Sequence, residues 1–343
     1  MRAMMLETIG PADRKGGALR AVELPRPTPG VGEVLIEVEA CGVCHTELDQ
    51  IEGRVPTPLP RIPGHQVIGH IRAVSDEVDP ALTGSRVGLG WIASACGTCR
   101  WCEQGLENLC PHFRATGCDR DGGYAEWMTA DAAFCVPVPE HADAAALAPL
   151  LCAGAIGLRS LRLAGLNDDG RLGLIGFGAS NHLVLRLVRR WMRAARVFVW
   201  ARDPGQRRLA LELGAHWAGE IGTPCPEAPD AFIDTTPVWT PVLSALSQLA
   251  PGGRLVINAI AKQDADRDRL AELDYPQQLW REKQIRSVAN LTRRDLSDFL
   301  DLAVQYRIRP EYQVLPLHAA NEALVRLAQG GVRGALVLDP GAR

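Results

Sequence analysis

Residues 171–182 read RLGLIGFGASNH: a short apolar run, a glycine turn, and the start of a helical segment. The turn has the form Gly176-x-Gly178-x-x-Asn181, and Ala179 and Ser180 within it are counted with these residues as candidate cofactor contacts. Its first two glycines suit a tight turn and the close approach of a pyrophosphate to a helix N-terminus. The third position is normally glycine, for helix–strand packing. Asn181 stands there instead, so the fingerprint is imperfect and its context has to carry the reading.

That context is an alternation of strands and helices. Upstream, residues 143–166 are rich in alanine and leucine, which fits helices. Downstream, 182–192 reads as helix, Val197–Trp200 as a second strand, and 206–213 as a helix stopped by Gly214. A third strand starts at Ala231. Residues 241–249 form a helix ended by Pro251, Gly252 and Gly253, and Arg254–Ile257 a fourth strand. Such alternation means βαβ units and a parallel sheet. Helices at 295–306 and 319–329 and a strand at 335–338 complete the chain. After the second strand, an NAD enzyme places an acid for the ribose hydroxyls. Here Ala201 and Arg202 follow, and Asp203 comes two residues late. An arginine without the acid favours the 2′-phosphate, hence NADP(H) over NAD(H). The plainer reading of Arg202 is a solvated loop charge, with Asp203 or an accommodating loop serving NAD.

The N-terminal half has another texture. Val34–Glu39 alternates apolar and polar residues, 56–63 holds four prolines and reads as a loop, and 65–74 and 85–89 are strand-like. Residues 91–122 lack periodicity, and 123–129 returns to a strand pattern. Within the irregular stretch lies Cys96-x2-Cys99-x2-Cys102-x7-Cys110. Four thiolates this close can surround one zinc tetrahedrally and fill every position, as structural sites do. An iron–sulfur cluster is the rival, although its closely spaced C-P ending is missing. Free buried thiols are the plain alternative.

A second constellation is dispersed. GVCHTELD (42–49) sets Cys44 beside His45 and Thr46, with Cys41 three residues earlier. IPGHQVIG (62–69) supplies His65, and APLLCAGA (148–155) supplies Cys152. Two thiolates and an imidazole form a catalytic zinc set with one open position, able to polarise a carbonyl or acidify a hydroxyl. Each of these residues alone more often serves packing, and spacing leaves Cys41 and Cys44 equally eligible.

The whole chain sets bounds. Its 343 residues suffice for two domains, and 47% hydrophobic with 22% charged residues can bury a core without disulfides. A net charge of −3 argues against a nucleic-acid or membrane surface. MRAMMLETIG shows no signal-peptide pattern, and no run of 18 apolar residues is present, so the expected location is the cytoplasm. Ten cysteines in that compartment point to metal or catalysis.

Taken in order, GVCHTEL, IPGH, the four-cysteine lobe, LLCAGAI and the glycine turn resemble the zinc-containing alcohol dehydrogenases of the medium-chain dehydrogenase/reductase superfamily. The likeness covers essentially the full length and is greatest to bacterial members. It implies a GroES-like catalytic domain (1–152 and 296–343) with a structural zinc lobe at about 91–115. It also implies a Rossmann-type doubly wound cofactor domain (153–295). It selects Cys44, with His65 and Cys152, over Cys41 for the catalytic zinc, making two zinc ions per subunit. By the same likeness Thr46 binds the substrate oxygen, His45 contacts the cofactor pyrophosphate, Trp91 lines the alcohol pocket, and Glu47 orients His65. Gln66 replaces a glutamate usual behind the zinc, and Asp49 replaces a relay histidine, leaving the proton to Asp49 or to water. The implied reaction is hydride transfer between NAD(P)(H) and a small primary or secondary alcohol, aldehyde or ketone, in a homodimer or homotetramer. A polyol dehydrogenase or other carbonyl reductase, a zinc-free quinone or enoyl reductase, and a non-enzymatic zinc-binding protein are the rivals.

Overall fold

The computed structural model describes residues 1–12, 18–330 and 332–342. The chain forms two compact units. One comprises Met1–Cys152, Leu291–Leu300 and Pro310–Arg343, the other Ala153–Asn290 and Asp301–Arg309.

The first unit is built on a seven-stranded sheet. Its centre is the eleven-residue strand Glu33–Val43, paired antiparallel with Val67–Val74, Ala335–Asp339 and Trp127–Asp131. Arg86–Leu89 and Val136–Pro137 extend one side, and Tyr312–Pro316 extends the other, parallel to Ala335–Asp339. Alternation along the central strand puts Val34, Ile36 and Val38 into one core with Val67, Ile71, Met128 and Leu338. The strand-like pattern at 123–129 resolves into an irregular approach followed by strand Trp127–Asp131.

The second unit carries six parallel strands: Arg171–Ile175, Arg196–Trp200, Trp217–Gly219, Ala231–Asp234, Arg254–Ile257 and Gln284–Ser287. Numbered along the chain, their order in the sheet is 3-2-1-4-5-6. This is the doubly wound order, whose direction reverses between the first and fourth strands. Trp217–Gly219 is too short to announce itself in sequence. Gln284–Ser287 is exposed at every residue and carries no apolar run. The helix after the glycine turn starts at Ala179, three residues before the apolar periodicity begins, because Gly178 is its N-cap. The stretch Ala144–Ala164 has the length and hydropathy of a membrane-crossing helix, but 72% of its 18-residue apolar window is buried within the protein.

The carboxyl end of the fourth strand holds a buried ion pair. Lys262 Nζ lies 2.6 Å from Asp234 Oδ2 and also donates to the carbonyls of Thr236 and Val238, at 2.7 and 2.9 Å. Burial raises the Asp234 carboxyl, and the lysine beside it opposes that rise. Removing one partner of such a pair strands the other charge. Lys262→Met is therefore expected to cost about 3 to 5 kcal/mol, read as a lowered denaturant midpoint. Adding Asp234→Asn should recover part of the loss.

Candidate functional site

The donor atoms of Cys44, His65 and Cys152 lie within 4.8 Å of one another. Cys44 is the N-cap of helix His45–Ile51, His65 precedes strand Val67–Val74, and Cys152 stands between a 3-10 turn and helix Ala153–Ala164. Cys41 is excluded from this group by the strand it occupies. Its side chain points the other way, so that a Cβ on Gly64 or Gly123 would meet its sulfur at 2.8 or 3.0 Å, and burial pushes its thiol up. Gly64 adopts φ +100°, where a side chain would also strike the Tyr124 ring. The bend that delivers His65 needs glycine for both reasons.

Glu47 organises the group. Its Oε2 accepts the Cys44 N–H at 2.8 Å, one half of a capping box. Its Oε1 lies 2.5 Å from His65 Nδ1. Both side chains are at most 1% exposed. Burial opposes the imidazolium, but the Glu47 carboxylate and the Cys44 sulfur overcome it and hold His65 at about 10. Burial likewise raises Glu47, against the pull of His65. The Cys152 thiol and His65 keep Cys44 well below the usual thiol range, while the same contact and burial raise Cys152. With Nδ1 engaged by Glu47, His65 Nε2 is buried without a hydrogen-bond partner among the described residues. An orphaned imidazole nitrogen beside two sulfurs fits a thiophilic divalent metal.

The surrounding residues fall into place unequally. Thr46 is 7% exposed, with its hydroxyl 3.7 Å from the Cys44 sulfur. His45 is exposed on the first turn of the same helix. Trp91 is 5% exposed and meets the His65 ring edge-on at 5.1 Å, within an apolar cluster of Val55, Phe113, Ala115 and Cys118. Gln66 is buried with its amide over Gly42, where a Cβ would come within 2.8 Å of Oε1. Asp49 is held by Arg54 Nε at 2.6 Å, yet burial still raises its carboxyl. Two neighbours escaped the sequence reading. Arg54 lies beyond the motif, and Tyr124, whose fully buried hydroxyl has no partner among the described residues, is an aromatic in an apolar pattern.

Cys96, Cys99, Cys102 and Cys110 converge as a second donor group. Neighbouring sulfurs stand 3.5, 3.6 and 4.0 Å apart, too far for disulfides. A tetrahedron with Zn–S bonds of about 2.3 Å has edges of about 3.8 Å. The Cys96 and His112 N–H groups both donate to the Cys110 sulfur at 3.4 Å, as suits a thiolate. The Thr98 N–H and the Cys110 thiol lower Cys96 to about 6, whereas burial pushes Cys102 up to about 12. A cation between the four sulfurs would offset the mutual repulsion of thiolates held this close. Glu107, 4% exposed, fastens the lobe to the Arg293 N–H at 2.8 Å.

In the second unit, Gly176 takes φ +75°, and a Cβ there would approach Thr235 Oγ1 to 2.8 Å. A Cβ on Gly178 would meet nothing within 4 Å, leaving room for an anion at the helix N-terminus. Asn181 is fully buried. Its Nδ2 donates to the carbonyls of Ile175 and Gly176, at 3.1 and 2.7 Å, and to Thr235 Oγ1 at 3.3 Å. Ser180 Oγ donates to the Ala153 carbonyl at 3.0 Å. Both side chains thus brace the turn, whose Gly176 N–H donates to the Trp200 carbonyl at 2.8 Å. At the next strand end Ala201 is buried and Arg202 exposed. The Asp203 carboxylate caps the following helix, accepting the Gln206 N–H at 2.9 Å. Arg207, which sequence reading passed over, donates to the carbonyls of Ala201 and Arg202.

The model for the alcohol dehydrogenase GroES-like domain matches residues 30–140. Over 98% of its length the chain is 42% identical to a probable alcohol dehydrogenase, AdhA, of Mycobacterium tuberculosis, covering 97% of it. It is 32% identical to an alcohol dehydrogenase of Geobacillus stearothermophilus, with 94% and 95% of the two chains covered. A cinnamyl alcohol dehydrogenase structure from Sorghum bicolor superposes with a TM-score of 0.86 at 26% identity, covering 100% of this chain and 98% of that one.

If Glu47 orients His65, Glu47→Ala should lower metal affinity at the three-donor group by about 10- to 100-fold. Competition with a chromophoric chelator would measure this, with the four-cysteine lobe as internal reference. Unchanged affinity would remove Glu47 from the site.

Proposed function

The chain belongs to the zinc-binding medium-chain dehydrogenase/reductases with a GroES-like domain, as a zinc-dependent, NAD(P)-linked oxidoreductase acting on alcohols, aldehydes or ketones; from that premise we propose how its residues divide the work. The observation that carries the proposal is the Cys44–His65–Cys152 group with its orphaned His65 Nε2. These three hold the catalytic zinc, and the four cysteines of the lobe hold a structural one. When bound, the catalytic zinc supplies Lewis-acid polarisation of the substrate oxygen, and the nicotinamide supplies a two-electron hydride carrier.

The remaining steps belong to side chains of this protein. The Thr46 hydroxyl binds the substrate oxygen and passes its proton outward. Asp49, raised by burial and anchored by Arg54, takes that proton on the way to solvent. Glu47 keeps His65 in the orientation that presents Nε2. The apolar set around Trp91 supports an apolar substrate over a polyol, whose hydroxyls would lack partners there. The backbone of the Gly176–Gly178 turn binds the pyrophosphate. Arg202 binds a 2′-phosphate, and NADP(H) is the preferred cofactor. Asp203 Oδ1 is already engaged as a helix cap by the Gln206 N–H, which supports this choice. We take the cytoplasm as the location and a homo-oligomer as the assembly. The exposed edge strand Gln284–Ser287, with Ile285 44% and Trp280 58% exposed, supports pairing with a second copy.

Metal analysis should find about two zinc ions per chain, one for each donor group. Cys152→Ser should reduce this to about one and abolish alcohol oxidation and aldehyde reduction with either cofactor, while circular dichroism stays unchanged. A fully active variant would refute the ligand assignment. Alcohol oxidation releases a proton, so Asp49 works as the carboxylate. The rate should fall as the pH drops through its raised pKa. Asp49→Asn should erase that acidic limb and lower turnover by up to about a hundredfold. An unaltered profile would hand the proton directly to water.

A further inference from the structure

Four arginines from two distant segments converge on one concavity of the second unit. Arg190 lies in the last turn of helix Ala179–Trp191 and Arg193 just beyond it, while Arg307 and Arg309 follow helix Arg293–Gln305. With Gln305 and Tyr306 they line a surface cavity of about 550 Å³. All four are exposed. Among the described residues, no carboxylate forms an ion pair with any of them, whereas Arg171, Arg196 and Arg207 of the same unit each face an acid. The chain carries a net charge of −3, so this is a local excess in an acidic protein.

The plain role of an arginine near a helix C-terminus is to satisfy carbonyls and oppose the dipole. Arg190 does this, donating to the Tyr306 and Arg307 carbonyls. The side chains of Arg193, Arg307 and Arg309 make no hydrogen bond among the described residues. The backbone of Arg307 sharpens the point. Its φ is +51°, and Ile308 N–H donates to the Ala303 carbonyl at 2.8 Å, closing the helix in a Schellman-type turn. Glycine or asparagine ordinarily takes that left-handed position. The left-handed backbone at Arg307 departs from the usual residue choice, and the residue lines the same concavity as Arg193 and Arg309.

We propose that this concavity binds a polyphosphate chain, either that of a nucleoside triphosphate or free inorganic polyphosphate. Guanidinium forks match phosphate oxygens in bidentate fashion. Clustered cations without acids demand a ligand of several negative charges, more than one carboxylate brings. The volume is that of a small-molecule site. A nucleic-acid backbone would need a longer basic track than a single concavity offers. Tyr306 and Gln305 also line the concavity, and an aromatic ring and an amide suit a base.

The test is calorimetric titration of the full-length, zinc-loaded protein, with NADP(H) at saturation to occupy the nucleotide turn. The titrants are magnesium tripolyphosphate and, separately, magnesium ATP. The expected result is one saturable site per chain that weakens with rising salt. It should weaken at least tenfold in Arg193→Gln/Arg309→Gln and several-fold in Arg307→Gly, with alcohol turnover at the wild-type level. Arg307→Gly relieves the left-handed backbone, so its melting temperature should not fall, and lost binding cannot be ascribed to misfolding. Equal affinity for both titrants identifies the phosphate chain as the recognised element, and tighter ATP binding adds a base contact; either result supports the proposal. Absence of saturable binding, binding unchanged in these variants, or binding only to phosphatidylserine vesicles or to a single-stranded oligonucleotide would overturn it.

Discussion

One buried carboxylate holds the three-donor group together. Glu47 accepts the Cys44 N–H with one oxygen and faces His65 with the other. A charge so deeply buried is costly unless it is both paired and hydrogen-bonded. Here the pairing and the placement of two donors are the same contact. The helix start at His45, the glycine bend at Gly64 and the strand that follows must therefore all be right together. Were one displaced, the carboxylate would lose a partner in a place where water cannot replace it.

The second unit repeats this economy at the carboxyl edge of its sheet. The glycine fingerprint departs from its usual third glycine, and the structure supplies a physical reason. Asn181 does with hydrogen bonds what glycine does by close packing, binding the turn to the ends of the first and fourth strands through Ile175, Gly176 and Thr235. The Asp234–Lys262 pair then ties the loop after the fifth strand to the fourth. Polar groups crowd this edge because the strands end there and leave carbonyls that no further ladder bond can take up. Their satisfaction by side chains makes the turn rigid enough to present backbone N–H groups in one geometry.

Legibility in the sequence followed distance along the chain. The lobe cysteines were readable because all four lie within fifteen residues, so spacing alone implies convergence. The glycine turn was readable because a strand and a helix flank it. Cys41 and Cys44 were not separable by spacing, since the choice depends on where the central strand ends: Cys41 still belongs to the ladder and faces Gly64, while Cys44 has left it to cap a helix. Helix start at Ala179 was missed because Ala179–Asn181 lack apolar periodicity, and the edge strand Gln284–Ser287 because exposure on both faces leaves no pattern. Arg54, Tyr124 and Arg207 act through contacts that no local motif encodes.

The two metal groups consequently differ in what they demand of the fold. Four donors on one short loop can be gathered at small closure entropy, and metal binding itself then contributes to the order of that loop. The Cys44–His65–Cys152 group draws on positions separated by 21 and 87 residues, and only the completed sheet brings them within 4.8 Å. Its geometry reports the integrity of the whole first unit, including the Glu47 contact that no single segment can make. Loosening of the sheet would therefore separate these donors while leaving the lobe cysteines neighbours in sequence. The three-donor arrangement is bound to global stability, and the four-cysteine arrangement to local chain order.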